Sequence, residues 1–288
     1  MAKRKPDAIL CADLHFRDSQ PVCRADDYFA AQRKKIDFLN ELCVEINNPD
    51  LLVLCAGDVF HKARSSKQLE TFLLENILFH MHTIPGNHDL PEHNLNNLDD
   101  SSLGIMQAAG KNITVYETPL EQMHVVEIKG RKIGLIHKLT HNETPITAGE
   151  TIISYSAKKL LKDFPELDII VTGDNHQTFT AKYKNRLLIN PGSLMRMTAD
   201  QIDHQPCVYL YCADDNTVDR VYIPIEKNVI SRVHIEKDEQ YNKRLESYIS
   251  AMNEQYEVSL SFTKNIEAYF KVNEVREPVK EIIWEVIG

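Results

Sequence analysis

The sequence lacks paired cysteines and long apolar runs. Its 6 Cys form no Cys-x-x-Cys pair, and Cys11 and Cys55 lie within apolar runs typical of buried strands. The simplest interpretation is reduced thiols in a cytoplasmic protein. No run approaches the roughly 20 apolar residues of a membrane span, and no signal-type apolar stretch follows the basic residues 1–6. We therefore expect neither secretion nor membrane insertion.

Positive charge is also in short supply. The 288 residues include 33 Lys and Arg against 42 Asp and Glu, which gives a net charge of −9. This overall charge disfavours a polyanionic partner, so local groups must overcome it if nucleic acid is the substrate. Histidine, by contrast, is plentiful, with 12 His against 10 Gly. The 43% hydrophobic and 26% charged residues are ordinary for a globular protein.

Apolar, β-rich runs alternate with helical patterns through the first two thirds of the chain. Residues 8–12 and 51–56 are typical of buried strands, and residues 28–46 have apolar side chains at helical spacing. Further helices are predicted at residues 65–79 and 95–109. Further strands are predicted up to residue 84 and at residues 113–116, 124–128, 132–137, 168–172, 178–183, 186–190, 207–211 and 218–223. This order predicts two stacked sheets flanked by helices.

The composition changes near Ile225, where densely charged helical patterns begin. We therefore predict a main domain over residues 1–225 and a small α+β module over residues 226–288. Within the module, helices are predicted at residues 237–252 and 278–287, with a strand-like run at residues 258–262 between them.

Short polar clusters follow the predicted strands. Each alone is more often a turn or a helix cap than a ligand set, but several ligand-type clusters in order, each after a strand, predict a site at the carboxyl ends of the strands. Imidazole, carboxylate and amide ligands without thiolate suit manganese, iron or zinc. The clusters are Asp13-Leu14-His15, Gly57-Asp58-Val59-Phe60-His61, Gly86-Asn87-His88-Asp89, His137, Gly173-Asp174-Asn175-His176 and Asn190-Pro191-Gly192-Ser193.

In this order the clusters resemble the signature of the calcineurin-like metallophosphoesterase superfamily, which is Asp-x-His, Gly-Asp, Gly-Asn-His-Asp/Glu, a lone His and Gly-His-x-His. The resemblance covers about residues 7–225 and implies a four-layer α/β/β/α sandwich. It also implies two divalent metal ions, for which we expect Mn²⁺. The implied metal ligands are Asp13, His15 and His176 at one metal, Asn87 and His137 at the other, and Asp58 between the two.

One position departs from the superfamily pattern. Asp174 stands where the superfamily usually has His, and we expect its carboxylate to bind the second metal instead. The resemblance implies that the two metals activate a water for attack on phosphorus. His88 would stabilise the developing charge or protonate the leaving oxygen, and Asp89 would be a turn and orientation residue.

The segment after Asp58 distinguishes branches of the superfamily. Ser/Thr phosphatases have Gly-Asp-x-x-Asp-Arg-Gly, whereas this sequence has His61 in place of the second Asp. The segment resembles the nuclease subunit of double-strand-break repair complexes, the SbcD type, in which the equivalent His helps orient the DNA end. This resemblance implies DNA as substrate, an SMC-like ATPase of the SbcC type as partner and a possible homodimer. We expect Lys62, Arg64, Ser193 and Arg196 to contact the substrate.

These features predict a metal-dependent DNA exo/endonuclease that acts in DNA repair and recombination, with His88 and His61 as catalytic residues. Two alternatives stay open. The acidic balance favours a metallophosphatase or small-molecule phosphodiesterase of the same superfamily. A metal-bound scaffold of the retromer-subunit kind shares the fold, although the presence of His88 and nearly all ligands argues against it.

Overall fold

The computed structural model describes residues 5–233, residue 243 and residues 262–287. It contains two compact units, Met1–Ser231 and Arg232–Gly288, and each is described by itself. Among the described helices, none combines the length and the apolar composition needed to cross a membrane.

The described part of the first unit, residues 5–231, contains two large sheets and four α-helices. Its strands are β1 (Ala8–Cys11), β2 (Leu52–Cys55), β3 (Met81–Thr83), β4 (Ile113–Val115), β5 (His124–Ile128), β6 (Arg131–His137), β7 (Thr140–His141), β8 (Thr147–Ala148), β9 (Thr151–Ile152), β10 (Tyr155–Ser156), β11 (Ile169–Gly173), β12 (Phe179–Tyr183), β13 (Arg186–Asn190), β14 (Cys207–Cys212) and β15 (Thr217–Tyr222). Its helices are α1 (Tyr28–Ile46), α2 (Lys67–Asn76), α3 (Ser102–Ala108) and α4 (Ala157–Asp163).

Both large sheets have parallel centres and antiparallel edges. The first has the order β15-β14-β1-β2-β3-β4, in which β1 to β4 are parallel and β14 and β15 run antiparallel. The second has the order β12-β13-β11-β6-β5, with β6, β11 and β13 parallel. Two small ribbons pair β7 with β10 and β8 with β9. The carboxyl ends of the parallel strands therefore form a common edge in each sheet.

The two sheets pack face to face, with helices on their outer faces. Successive side chains of a strand point to opposite faces. In β1, Ala8 and Leu10 therefore pack against the second sheet, while Ile9 and Cys11 pack in the cluster that includes α1, α2 and α3. On the far side, α4 covers the second sheet through Leu160 and Leu161. The predicted four-layer α/β/β/α order is confirmed, and strands buried on both faces explain the continuous apolar runs.

The largest predicted helix, over residues 28–46, is confirmed as α1. The Asp27 side chain accepts a hydrogen bond from the amide of Ala30 at the start of this helix.

One predicted helix is wrong. Residues 95–109 form a 3-10 helix, Leu95–Asp100, and then α3, because the hydroxyl of Ser101 accepts from the amide of Gly104 and starts a new helix. Helix α4 was not predicted.

The first unit extends past the change in composition at Ile225. The amide of Ala25 donates to the carbonyl of Val229 at 3.0 Å, and the amide of Ser231 donates to the carbonyl of Cys23 at 2.7 Å. These backbone bonds attach the segment up to Ser231 to the first unit, so the division at Ser231–Arg232 follows packing rather than composition.

In the second unit the described residues form α5 (Phe262–Val272) and α6 (Glu277–Ile287). The rings of Phe270 and Trp284 meet edge to face at 5.9 Å. Helix α6 corresponds to the predicted helix over residues 278–287. The predicted helix over residues 237–252 lies outside the described residues apart from Lys243, as does the strand-like run 258–262 apart from Phe262, which begins α5.

Candidate metal centre

Five loops from the two sheets meet at their carboxyl edges. They follow β1, β2, β3, β6 and β11 and carry the predicted ligands. Hydrogen bonds join the sheets here. For example, His137 Nδ1 donates to the carbonyl of Ala56 at 2.7 Å, and the amide of Asp174 donates to Asp13 Oδ1 at 3.0 Å. Clusters that are far apart in sequence therefore come together at one site.

The backbone at this site is held in an uncommon conformation. Asp13, His15, Asp58 and Asp174 have φ values of 51°, 47°, 54° and 74°, in the left-handed region. Such positions cost on the order of 1–3 kcal/mol each and persist where surrounding contacts fix them. Here the amides of Asp13 and His15 donate to the carbonyls of Gly57 and Asp58 at 3.0 and 2.9 Å.

Close packing of the loops requires glycine at two positions. A Cβ at Gly86 would lie 2.0 Å from Oδ1 of Asp58, and one at Gly173 would lie 2.6 Å from Nδ1 of His137. Glycine at these positions therefore lets the loops approach closely enough to bring the ligand atoms together.

Asp13, His15 and His176 form the first group of ligand atoms, all within 4.8 Å of one another. The Nε2 atoms of His15 and His176 lie 3.0 Å apart. Oδ2 of Asp13 is buried and has no hydrogen-bond partner among the described residues. Buried acceptors normally have partners. The two Nε2 atoms form a hydrogen bond with each other, in which one ring donates and the other accepts. A divalent cation would satisfy all three side chains.

Asp13, Asp58 and His137 form the second group, again within 4.8 Å. His137 Nε2 lies 2.9 Å from Oδ1 of Asn87 and 3.4 Å from Oδ2 of Asp58. Oδ2 of Asp58 is also 3.5 Å from Nε2 of His15, and it has no hydrogen-bond partner within the described ranges. Oδ2 of Asp58 therefore lies near one imidazole of each group, and Asp13 belongs to both groups, so the donor set fits two adjacent divalent ions.

The electrostatics of the site follow from buried, opposed charges. Burial raises the pKa of Asp13 to about 8. Burial also opposes ionisation of Asp58, but the facing imidazole of His137 holds the pKa of this carboxyl below its usual range. In return, Asp58 outweighs burial and raises the pKa of His137 to about 10. A proton on His137 therefore offsets buried negative charge that a metal would otherwise neutralise.

His88 and His61 lie beside the ligand groups. The amide of His88 donates to Oδ1 of Asp58 at 2.9 Å, and its Nδ1 donates to the carbonyl of His61 at 2.8 Å, which leaves Nε2 available. The two rings stack with centroids 5.5 Å apart. Burial, together with the charge of Arg17, lowers the pKa of His61 to about 4, so this imidazole is neutral near pH 7.

Asp89 connects two of the loops. It is fully buried, and its carboxylate accepts from the amides of Phe60 at 2.8 Å, Gly86 at 2.9 Å and Val59 at 3.2 Å. It therefore holds the loop after β2 against the loop after β3, as expected of a turn and orientation residue.

Asp174 contacts the site through its backbone. Its amide, rather than its carboxylate, contacts a ligand residue, by donating to Asp13 Oδ1 at 3.0 Å. Its carboxylate belongs to none of the three ligand groups found in the part of the chain that the structure describes, which are the two above and a group of His15, His61 and His88. The left-handed backbone at Asp174 accompanies this amide contact.

The four predicted substrate contacts divide into two pairs. Lys62 and Arg64 are exposed after β2, where Nε of Arg64 donates to the carbonyl of Asp100 at 3.1 Å. Ser193 and Arg196 are buried, at 0% and 5% exposure.

Both buried side chains already have internal partners. Ser193 Oγ donates to the carbonyl of Met195 at 2.9 Å and accepts from Gln201 Nε2 at 2.8 Å. The Arg196 guanidinium donates to the carbonyls of Ile202 and Glu226. Both side chains therefore make structural contacts inside the first unit.

Asn190 is a positioning residue that the sequence analysis missed. It is fully buried, its Nδ2 donates to the carbonyls of Asn175 and Gln177 at 2.5 and 2.7 Å, and its Oδ1 accepts from Thr172 at 2.8 Å. It thereby holds the loop that carries His176. The sequence signal for this role is an Asn at the end of a strand, directly before Pro-Gly.

Comparisons with known proteins identify one family and several similar folds. A family model described as the calcineurin-like phosphoesterase superfamily domain matches residues 8–214. No curated protein matches the sequence. Among solved structures, the chain is similar to an archaeal phosphodiesterase, with 14% identity and a TM-score of 0.44 over 75% of this chain and 98% of that one.

Two further structures show comparable similarity. Zinc-bound Vps29 from Entamoeba histolytica has 15% identity and a TM-score of 0.37, over 75% of this chain and 99% of that one. A predicted phosphoesterase from Streptococcus pneumoniae has 15% identity and a TM-score of 0.36, over 77% and 99%. Because these scores are low, the relationship rests on the family match over residues 8–214.

Proposed function

The chain belongs to the calcineurin-like phosphoesterase superfamily, and on this basis we propose that it is a manganese-dependent DNA nuclease. Hydrolysis of phosphoesters at a divalent-metal centre is the general activity of this superfamily. The choice of DNA as substrate and of Mn²⁺ as metal is our proposal. Carboxylate, imidazole and amide ligands without thiolate support manganese.

The observation that carries the proposal is the stacked pair of His61 and His88 beside the ligand groups. A phosphodiester has a large leaving group that needs a proton. An imidazole beside the ligand groups can supply that proton, and His88 stacks on His61 there.

The side chains divide the work as follows. When bound, two metal ions supply an activated water and neutralise the phosphoryl oxygens. Asp13, His15 and His176 would hold one ion, Asn87 and His137 the other, and Asp58 both. His88, with Nδ1 held by the carbonyl of His61, delivers a proton from Nε2 to the leaving oxygen.

Exposed cations beside the site support a polyanionic substrate. Lys62 and Arg64 lie directly after the loop of Asp58, and Arg17 is near enough to His61 to lower its pKa. Such side chains contact backbone phosphates without sequence preference. As partners we propose an SMC-like ATPase subunit and a second copy of the chain, to be checked by mixing the purified proteins and measuring the mass of any complex by light scattering.

The test uses the purified full chain with Mn²⁺ and end-labelled duplex and single-stranded DNA. We expect cleavage, and His88→Asn is expected to reduce its rate about 10²- to 10⁴-fold. His80→Asn is the matched control, because His80 is exposed and bonded to Thr114 in the sheet. Equal cleavage by wild type and His88→Asn overturns the assignment of His88. If the protein hydrolyses a phosphodiester substrate but does not cleave DNA, the proposal of a nuclease is overturned.

A second candidate is a small-molecule phosphodiesterase or phosphatase. A cleft of about 410 Å³ adjoins His176 and is lined in part by Asp200 and Asp203, whose carboxylates would repel a DNA backbone. This candidate predicts rapid hydrolysis of a chromogenic diester or monoester that excess DNA does not inhibit. Competitive inhibition by DNA favours the nuclease instead.

A further inference from the structure

A small cavity in the first unit lies apart from the metal centre. It has a volume of about 90 Å³ and is enclosed by α1, the loop after β13 and the segment after β15. Its charged lining residues are Arg24, Lys34, Lys35, Arg196 and Glu226. None of them is a candidate metal ligand.

Three of the lining cations are buried. Arg24, Lys35 and Arg196 are 9%, 6% and 5% exposed, although charged side chains are seldom buried without a partner. Arg24 has one, because it meets both carboxylate oxygens of Asp26, at 2.7 and 2.5 Å. At the exposed side, Lys34 pairs with Glu226 at 2.7 Å.

Among the described residues, the remaining two cations bond to neutral groups. Lys35 Nζ donates to the carbonyl of Pro224 at 2.6 Å, and Arg196 donates to the carbonyls of Ile202 and Glu226 at 3.1 and 2.6 Å. Within the described ranges, neither forms a salt bridge with a carboxylate. An ammonium has three donors and a guanidinium five, so both retain donors for another acceptor.

We propose that this cavity binds a tetrahedral oxyanion of the phosphate class through Lys35 and Arg196. The volume has room for a few water molecules or for one such ion. An oxyanion would neutralise the buried positive charge and accept the remaining N–H donors, and charge-assisted hydrogen bonds of this kind are strong. The bound group is either free phosphate or the terminal phosphate of an oligonucleotide.

The ionisation of Lys35 supports this site. Burial and the nearby cations Arg196 and Arg24 lower its pKa to about 7, with Glu226 as the opposing charge. A bound oxyanion would favour the ammonium form, so binding between pH 7 and 9 takes up a proton. The charged and titratable groups around Lys35 are Arg24, Asp26, Lys34, Arg196, His204 and Glu226.

The test uses the full chain after metal removal with a chelator, so that the metal centre does not bind phosphate. Inorganic phosphate is titrated calorimetrically against chloride at equal ionic strength. We expect saturable binding by wild type and a loss of affinity of about tenfold or more in Lys35→Met. Lys34→Met is the matched control, since Lys34 lines the same cavity but has its own carboxylate partner.

Lys35→Met keeps the aliphatic length of the side chain, and its circular dichroism and unfolding temperature show whether it is folded. As a second measurement, wild type is titrated in two buffers of different ionisation enthalpy at pH 8, where proton uptake is expected. Absence of binding by wild type overturns the proposal, as does equal binding by folded Lys35→Met or binding without proton uptake.

A second set of titrations distinguishes the two sources of phosphate. A short oligonucleotide with a 5′-phosphate is compared with the same oligonucleotide without it, again in the chelated protein. Binding that needs the 5′-phosphate and is lost in Lys35→Met identifies a nucleic-acid end. Binding of inorganic phosphate alone identifies the free ion, and both results support an oxyanion site.

Discussion

The metal centre and the cavity at Lys35 contain buried charge of opposite sign within one unit. At the metal centre, the buried Oδ2 atoms of Asp13 and Asp58 lack hydrogen-bond donors among the described residues. At the cavity, Lys35 and Arg196 bond to carbonyls rather than carboxylates. The net charge of −9 predicts neither site, because binding depends on which charges are buried together and not on their sum.

The largest expected effect comes from removing the shared acid at the metal centre. Asp58→Asn is expected to lower phosphodiester hydrolysis about a thousandfold, since bound metals supply several kcal/mol of charge stabilisation. The rate is measured with a chromogenic diester and excess Mn²⁺. Metal content after desalting is expected to fall as well. Wild-type metal content in the variant would show that Asp58 is not shared between two ions.

The next effect tests the close approach of the loops. In Gly86→Ala the new methyl would lie 2.0 Å from Oδ1 of Asp58, so the loop must shift. We expect a loss of about 1–3 kcal/mol of stability and roughly 10²-fold of activity. Gly149→Ala is the control, because nothing lies within 4 Å of its added methyl and only its left-handed φ of 61° is unfavourable. Equal activity in both variants contradicts this account.

Local sequence explains why the metal centre was predicted and the cavity was not. Each ligand lies within a few residues of a strand end, as in Asp13-Leu14-His15, so a short motif identifies it. The cations of the cavity come from the loop before α1, from α1 and from the loop after β13. Only tertiary packing brings Arg24, Lys35 and Arg196 together, and no short-range pattern reports it.

The same distinction explains the errors. Strands and α1 were predicted because buried runs and helical spacing are local signals. Ser193 and Arg196, for which we expected contacts with substrate, are polar residues after a strand that turn inward to backbone carbonyls. Sequence alone does not tell an inward from an outward polar side chain. Similarly, Asp174 contacts Asp13 through its backbone amide. The type of side chain at position 174 does not reveal such a contact.

A smaller effect tests the buried cation through stability. The pKa of Lys35 is about 7 in the folded protein against 10.5 for an ordinary Lys. Between these two pH values the unfolded chain binds more protons than the folded chain, so the stability of the wild type rises with pH there. Lys35→Met is expected to gain roughly 1–3 kcal/mol near pH 7 without phosphate. The gain should vanish towards pH 10.5. A pH-independent difference in denaturant unfolding contradicts this.

The smallest effect is expected for an exposed cation. Lys62 is exposed beside His61, so its charge is screened by salt and not amplified by burial. Lys62→Ala is therefore expected to weaken DNA binding only a few-fold at low salt, and to reduce the slope of log affinity against log salt by about 1. Fluorescence anisotropy in Ca²⁺, which replaces Mn²⁺ to slow cleavage, measures both values. An unchanged slope would place Lys62 outside the DNA-binding surface. If Lys62→Ala instead loses as much affinity for DNA as Lys35→Met loses for phosphate, then burial does not explain why the two cations differ in strength.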